Sequence, residues 1–333
     1  MMRKFLCMCL VLTLCLCLCS CKSSDYKKAM SLYETGEYAE AMATFEALGD
    51  YKDSVQKIDE CKYGAAVALM DSGNYEEAIA AFEAMGEYKD CPQKIEACKT
   101  AILDIRYDEA IALMDGTDVV ATYEALAALC GHKDSNKKAA PLYDEYFAAK
   151  WKTLKDGDTI YFGSYEQDNN KGNGKEPIEW IVIEDLGSRW LLISKCGLDC
   201  RQFNYRDKWK WGQSDLRDWL KEDFFNAAFS SKEQELMGKW EEGLDPYYQD
   251  RINYVTLLTE EQAETLLSDS EAIAPPTAYA RERGTIIDGG WWWLQSSKIG
   301  DTQYAMTVMN GRITGADKNA DMIAVRPVIK VAK

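Results

Sequence analysis

The first part of the chain repeats itself, and that repeat sets its fold class. Residues 26–62 align on residues 63–99 at an offset of 37. Gly36 and Gly73, Tyr38 and Tyr75, Ala41 and Ala78, Phe45 and Phe82, and Gly49 and Gly86 fall in register. Tyr51-Lys52-Asp53 returns as Tyr88-Lys89-Asp90, and Gln56-Lys57-Ile58 as Gln93-Lys94-Ile95. A degenerate third copy follows. Ala110 to Asp115 echoes Ala66 to Asp71, and Gly131-His132-Lys133-Asp134-Ser135 echoes the turn. A period of this size builds stacked helical hairpins, because each unit can bury its apolar stripe only against a neighbour.

Within a unit the spacing predicts two helices. Asp53-x-x-Gln56 and Asp90-x-x-Gln93 have the form of a capping box, an acceptor at the N-cap with an amide three residues on. Pro92 sits in the first turn, where its missing N–H costs nothing. Ile58, Cys61, Ala65 and Leu69 then fall on one helical stripe. Gly36 and Gly73 are placed to end these helices. Asn74-x-x-Glu77 opens the second helix, with Tyr75, Ala78, Ile79 and Phe82 as its stripe. Cys61 and Cys98 take equivalent places and read as small apolar residues filling the gap between helices, with a disulfide or metal site as the alternative. His132, the only histidine, falls in a polar turn; a single histidine leaves no multi-histidine metal site or histidine triad to build. The pattern of Gly, Tyr, Ala and Phe is similar to tetratricopeptide-type repeats. The longer first helix and the Gly-x-Tyr-Lys-Asp turn depart from that family's standard unit.

Near residue 150 the composition changes. All ten Trp lie from Trp151 to Trp293. Thr159–Phe162, Glu179–Ile183 and Trp190–Ile193 read as strands, the last two joined by the turn Asp185-Leu186-Gly187-Ser188. Ser214 opens a helix with Leu216, Trp219 and Leu220 on one face, and Thr259 caps another running to Leu267. Tyr254–Leu258, Trp292–Ser296, Tyr304–Met309 and Ile323–Val331 read as further strands. Such a mixture is an α+β domain with a mostly antiparallel sheet.

The N-terminus carries Arg3 and Lys4, an apolar run from Phe5 to Leu18, and then Leu18-Cys19-Ser20-Cys21. A basic start, a short apolar stretch and a small residue before the cut are the marks of a secretory signal. Leu18-x-Ser20-Cys21 resembles the lipobox of bacterial lipoproteins, although Cys19 stands where Ala, Ser or Thr is usual. The resemblance implies cleavage before Cys21 and acylation of that cysteine, giving a lipid-anchored protein on the extracytoplasmic face of the cell membrane. Without the two basic residues of the signal, 37 Lys and Arg stand against 55 Asp and Glu, a net charge near −18. That balance argues against nucleic acid or anionic lipid surfaces as partners. The lipid is then the sole tie to the membrane.

The expected organisation is therefore an α+β multidomain chain: signal peptide over 1–20, all-α tetratricopeptide-like hairpins over 21–150, and an α+β recognition domain over 151–333. Ile160–Tyr165, Pro177–Trp180, Ile193-Ser194-Lys195, Leu198-Asp199-Cys200, Leu216-Arg217-x-Trp219-Leu220 and Thr277–Ala280 resemble an uncharacterised bacterial extracytoplasmic domain. That domain also carries Trp-Trp-Leu-Arg-Ser-Pro and Val-Arg-Pro motifs. Here the first reads Trp292-Trp293-Leu294-Gln295-Ser296-Ser297, and the second is kept as Val325-Arg326-Pro327. The ending is similar to C-type-lectin-like domains of the formylglycine-generating-enzyme type. That likeness implies either a recognition module or, alternatively, a cysteine-dependent enzyme; a pure repeat scaffold is a third reading.

Trp291, Trp292, Trp293 and Arg326 are the candidate ligand-binding residues, because exposed aromatic faces bind sugars and polymers and a strand Arg can meet an anion. Core packing of at least two of the indoles, and an ion pair of Arg326 with Asp or Glu, are the structural readings that weigh more. Cys196-x-x-x-Cys200 lacks the spacing of redox or zinc sites and reads as a local disulfide or as two free thiols. Asp168, Asn170 and Glu179 mimic a calcium loop by count, but Asn173 stands where Gly is needed, so the stretch reads as a solvated hairpin loop. Asp317-x-Asn319-x-Asp321 is a weaker case of the same kind. No cofactor, metal or catalytic residue is assigned. The expected function is non-enzymatic binding of a protein partner through the repeats, with a cell-wall or glycan ligand on the last domain. Cys21→Ala should abolish fatty-acid incorporation in metabolic labelling; equal labelling of both forms would contradict the anchor.

Overall fold

Two hairpins form because each amphipathic helix finds a matching stripe on its neighbour. The computed structural model describes residues 22–204, 211–240, 253–285, 290–297 and 303–333. The expected signal peptide and lipidated Cys21 lie outside them. The chain divides into two compact units, Met1–Ile105 and Arg106–Lys333. The first contains α1 (residues 22–34), α2 (Tyr38–Leu48), α3 (Ser54–Asp71), α4 (Tyr75–Glu83) and the start of α5 (Cys91–Leu113). Its core is itself a repeat. Ala29, Ala41, Phe45, Leu48 and Cys61 form one cluster, and Ala66, Ala78, Phe82, Cys91 and Cys98 form the next. Cys61, Cys91 and Cys98 are buried free thiols, in keeping with small core residues. Gly64, inside α3, makes room for the Tyr38 ring; a Cβ there would lie 2.4 Å from Tyr38 Cε1.

A polar lock recurs in every copy. Tyr26, Tyr63 and Tyr107 each donate a hydroxyl hydrogen bond to an Asp 27 residues later: Asp53, Asp90 and Asp134. The Lys before each Asp has left-handed backbone, with φ of 54° at Lys52, 50° at Lys89 and 53° at Lys133. Its ammonium lies over the same Tyr ring, at 4.1, 4.5 and 4.6 Å. This corrects the capping expectation. Asp53 and Asp134 occupy N-cap positions but make no side-chain cap bond, because the tyrosine hydroxyl takes the carboxylate. The same bond holds all three Asp below the usual carboxylate range. Burial, then Asp90, pushes Tyr63 up to about 12.

The third lock belongs to the second unit. There α6 (Val119–Ala127), α7 (Ser135–Ala139) and α8 (Tyr143–Trp151) precede the sheets. Tyr146 Oη accepts from the Tyr161 N–H, and Tyr143 Oη donates to Glu233, so α8 is tied into the sheet region. The compact units thus divide at 105, whereas composition changes at 150.

Two five-stranded sheets follow. The first has the order β1 (Thr159–Tyr165), β2 (Glu176–Asp185), β3 (Arg189–Ser194), β10 (Val328–Ala332), β5 (Val255–Thr256). The second runs β4 (Asp199–Cys200), β9 (Ala324–Val325), β6 (Trp291–Ser297), β7 (Tyr304–Met309), β8 (Arg312–Asp317). Pairing is antiparallel except between β6 and β9. Short helices connect them: α9 (Asp215–Trp219), α10 (Phe225–Ala228), α11 (Ser231–Leu236), α12 (Glu260–Leu266) and α13 (Ala278–Glu282). Thr259 and Gln262 form the capping box of α12, at the expected N-cap. One core, including Leu191, Ile193, Leu258, Trp292, Leu294, Val308 and Val328, draws on both sheets. The chain is α+β, helical at first and then sheet-rich, as its residues indicate.

Gly163 sits at a bulge of β1 with φ of 70°, and a Cβ there would lie 2.7 Å from both Ala228 O and the Phe229 ring. Phe82 is fully buried in the first unit, which holds no Trp. Phe82→Ala should cost about 3–5 kcal/mol in that unit. Urea unfolding followed by circular dichroism and by Trp fluorescence should therefore separate, with only the former shifted. Equal shifts in both signals would contradict independent units.

Candidate functional site

Alternation along β6 decides the fate of the three tryptophans. Trp292 points into the shared core and donates its Nε1–H to Ala272 O at 3.1 Å. Trp293, on the opposite face, packs edge-on against Phe203 at 5.4 Å and donates to Arg201 O at 2.8 Å. Both are fully buried. They offer no face to a ligand: core packing, expected for at least two of the indoles, holds for these two, and neither is a binding residue. Trp291 shares the face of Trp293 and is only half-buried; its Nε1–H donates to Thr307 Oγ1 at 2.9 Å. It keeps part of its ring open.

Arg326 is also fully buried, at the crossing from β9 in one sheet to β10 in the other. Among the described residues it has no carboxylate partner. Its Nε–H donates to Ser194 O at 2.8 Å and Nη1–H to Glu271 O at 2.6 Å, and its guanidinium lies 4.9 Å from the Trp292 ring centre. Burial pushes it down to about 10. Both its ligand role and the anticipated ion pair give way to this arrangement: main-chain carbonyls and an indole face take the charge.

Cys196 and Cys200 are free thiols, not a disulfide. Cys200 donates to Asp321 O at 3.1 Å, and burial pushes both thiols up. Beside Cys200, Asp199 is the centre of a charged cluster and is fully buried. It accepts from Tyr165 Oη at 2.7 Å, meets Arg283 Nε at 2.7 Å and Arg201 Nη2 at 3.5 Å. Arg201 in turn stacks 4.5 Å from the Trp219 ring centre. Two cations and a phenol satisfy this carboxylate, a structural arrangement.

The β1–β2 loop holds a cluster that the residue pattern did not suggest. Carboxylate oxygens of Glu166, Asp168 and Glu176 all lie within 4.8 Å of one another. Glu176 is fully buried and Glu166 is 9% exposed. The tip of the loop, from Asn169 to Gly172, is exposed as expected, and the buried acids stand at its two ends. Glu176 Oε2 accepts from Gln167 N at 2.6 Å and Asp168 N at 3.4 Å, and Oε1 from Asn136 Nδ2 at 3.2 Å. Asp168 accepts from Asn170 N at 2.7 Å and from Asn173 Nδ2 at 2.6 Å. Burial, with the nearby carboxylates adding to it, pushes Glu176 up to about 7 against the pull of Gln167 N–H. Burial and then Asp168 push Glu166 up as well. Glu179 lies elsewhere, paired with Lys195 at 2.8 Å. Asp317 forms only a local turn, accepting from Asn319 N at 2.9 Å.

The first unit carries an open groove of about 420 Å³ between its two hairpins. Tyr38, Met42, Ala65, Leu69, Ala81 and Met85 give it an apolar lining, and Lys62 reaches it. Glu37 and Glu40 line its continuation past Tyr38.

No family model, no curated protein and no solved structure matches the chain. Trp293→Ala should destabilise the second unit by about 3–5 kcal/mol, the range for a truncated core aromatic. Trp291→Ala should cost no more than about 1 kcal/mol. Denaturant midpoints with unchanged slopes would read this difference. Equal losses would contradict the alternation.

Proposed function

We propose that this protein is a non-enzymatic binding lipoprotein. Acyl chains on Cys21 tether it to the extracytoplasmic face of the cell membrane, and its helical hairpins hold a polypeptide segment of a partner. The hairpins are read as a tetratricopeptide-like variant and the terminal α+β domain as a C-type-lectin-like recognition module. No described helix is long and apolar enough to cross a membrane, so in this reading the lipid is the tether.

The groove between the hairpins carries the proposal. Its apolar lining suits Leu, Ile or Phe side chains of a bound segment. Residues 22–105 hold 17 acidic and 9 basic residues, a net charge of −8, and Glu37 and Glu40 are exposed at the groove's edge. The occupant is therefore an apolar segment flanked by Lys or Arg. Trp291 supports a second contact, to a glycan or cell-wall polymer: its half-open indole lies beside the exposed Met309 and Arg312 on one sheet face.

Selection of peptides from a random display library on the full chain tests the groove. Enriched sequences should combine apolar residues with Lys or Arg. Their affinity should fall at least about tenfold in Ala65→Arg, which fills the groove and adds a like charge, a loss of about 1.4 kcal/mol. Helical circular dichroism should be unchanged. Failure to enrich any such sequence, or binding indifferent to Ala65→Arg, would refute this reading.

A further inference from the structure

The buried charged groups of the second unit are met by opposite charges, dipoles or an aromatic face, and single enclosed atoms of Arg201, Arg217, Arg326 and Glu166 are left over. Asp199 meets two arginines. Glu233 is 9% exposed and accepts four bonds, from Tyr143 Oη, Gly163 N, Ser230 N and Ser230 Oγ. Arg326 has two carbonyls and an indole. Glu166 is as deeply placed as Glu233, yet its Oε1 is enclosed and has no hydrogen-bond partner. The charges that bear on Glu166 and Glu176 are those of the neighbouring carboxylates, Asp168 on both and Glu166 on Glu176. Three carboxylates thus converge, one of them with an enclosed oxygen that no donor meets.

We propose that Glu166, Asp168 and Glu176 form a calcium site that fastens the β1–β2 loop onto the turn before α7. The donors are hard oxygens, which select Ca²⁺ or Mg²⁺ over softer-ligand metals. Calcium–oxygen distances of about 2.3–2.6 Å mean that ligands sharing one ion lie no more than roughly 5 Å apart. A mutual separation within 4.8 Å meets that limit for all three carboxylates. Two further enclosed oxygens have no donor: Asn173 Oδ1 and Asn136 Oδ1. Both amides belong to the same neighbourhood. Asn173 Nδ2 donates to Asp168, Asn136 Nδ2 to Glu176, and both nitrogens lie close to Gly131. Gly131 has φ of 80°, and a Cβ on it would lie 2.4 Å from Asn173 Nδ2 and 3.1 Å from Asn136 Nδ2. The absence of a side chain there lets the loop and the turn close around the carboxylates. Calcium is favoured over magnesium because carboxylates gathered from an irregular loop suit a large, flexible coordination shell, and a turn of either Asn amide would add an oxygen to it. The site shares no residue with the hairpin groove or with Trp291, and the proposal does not depend on either.

Equilibrium dialysis of the full chain against ⁴⁵Ca²⁺, after removal of metal with EDTA, tests it. One ion should bind at or below about 1 mM free calcium, the weak end for extracellular sites. Glu166→Gln and Asp168→Asn keep the side-chain shapes, and each should weaken binding about tenfold or more. A melting curve of Glu166→Gln adds a second readout. In EDTA this variant should melt no lower than wild type, because it removes a carboxylate from a repelling group. In calcium it should melt lower than wild type. No bound calcium at that concentration, or bound calcium that survives both substitutions, would overturn the proposal. So would a Glu166→Gln variant that melts lower than wild type by the same amount with and without calcium.

Discussion

Burying charge is the constraint on which the second unit depends. An ionised side chain taken from water loses several kcal/mol of solvation unless dipoles or opposite charges replace the water. Arg326 stands where this matters most. The last segment of chain leaves one sheet through β9 and joins the other through β10, and Arg326 occupies the crossing. Its donors reach Ser194 O at the end of β3 and Glu271 O, in the stretch between α12 and α13. One guanidinium therefore ties together segments that are distant in sequence. The Trp292 ring beneath it closes the apolar side. Replacing a buried indole or the guanidinium would disturb the same junction, so these residues serve the fold before they could serve a ligand.

The helical unit solves a smaller version of the same problem at its surface. Each turn between hairpins carries Asp and Lys, and each pair is spent on the tyrosine that opens the same copy. The carboxylate accepts the hydroxyl and the ammonium covers the ring. The left-handed Lys is the means, since it turns the chain so that both groups face one tyrosine. The third copy keeps this lock after losing most of its sequence likeness. The lock, more than the helix stripe, is the repeating element.

Much of this was legible in the residues. The offset of 37 gave the hairpins, and the stripe of Ala, Phe and Cys gave their cores. Tyr304–Met309 coincides with β7, and the turn at Asp185 joins β2 to β3 as expected. Other features depend on contacts that spacing does not encode. Arg312–Asp317 forms β8 although it contains Gly315 and buries only Ala316, because β7 supplies its register. Tyr254–Leu258 is a continuous apolar run, yet only Val255 and Thr256 pair, at the edge of the first sheet. Glu166 and Glu176 carry no mark in the residue pattern that sets them apart from the loop between them. Their burial comes from the turn around Gly131 and Asn136, some 30 to 45 positions earlier. A clue was present in the run from Glu166 to Glu176, where acids and Asn alternate with Gly, but counting from Asp168 placed Glu179 in the set and omitted both buried acids.

The central claim is that the enclosed carboxylates of the β1–β2 loop are completed by a cation rather than left as a strained acid cluster. Anomalous X-ray diffraction from crystals of the chain grown with terbium in place of calcium reads this directly, because the lanthanide accepts the same hard oxygen donors. The account predicts an anomalous peak bounded by Glu166, Asp168 and Glu176, with the Asn136 or Asn173 amide oxygen turned toward it. A metal-free cluster with a proton shared between two of its carboxylates, or a peak at another place on the surface, would contradict it.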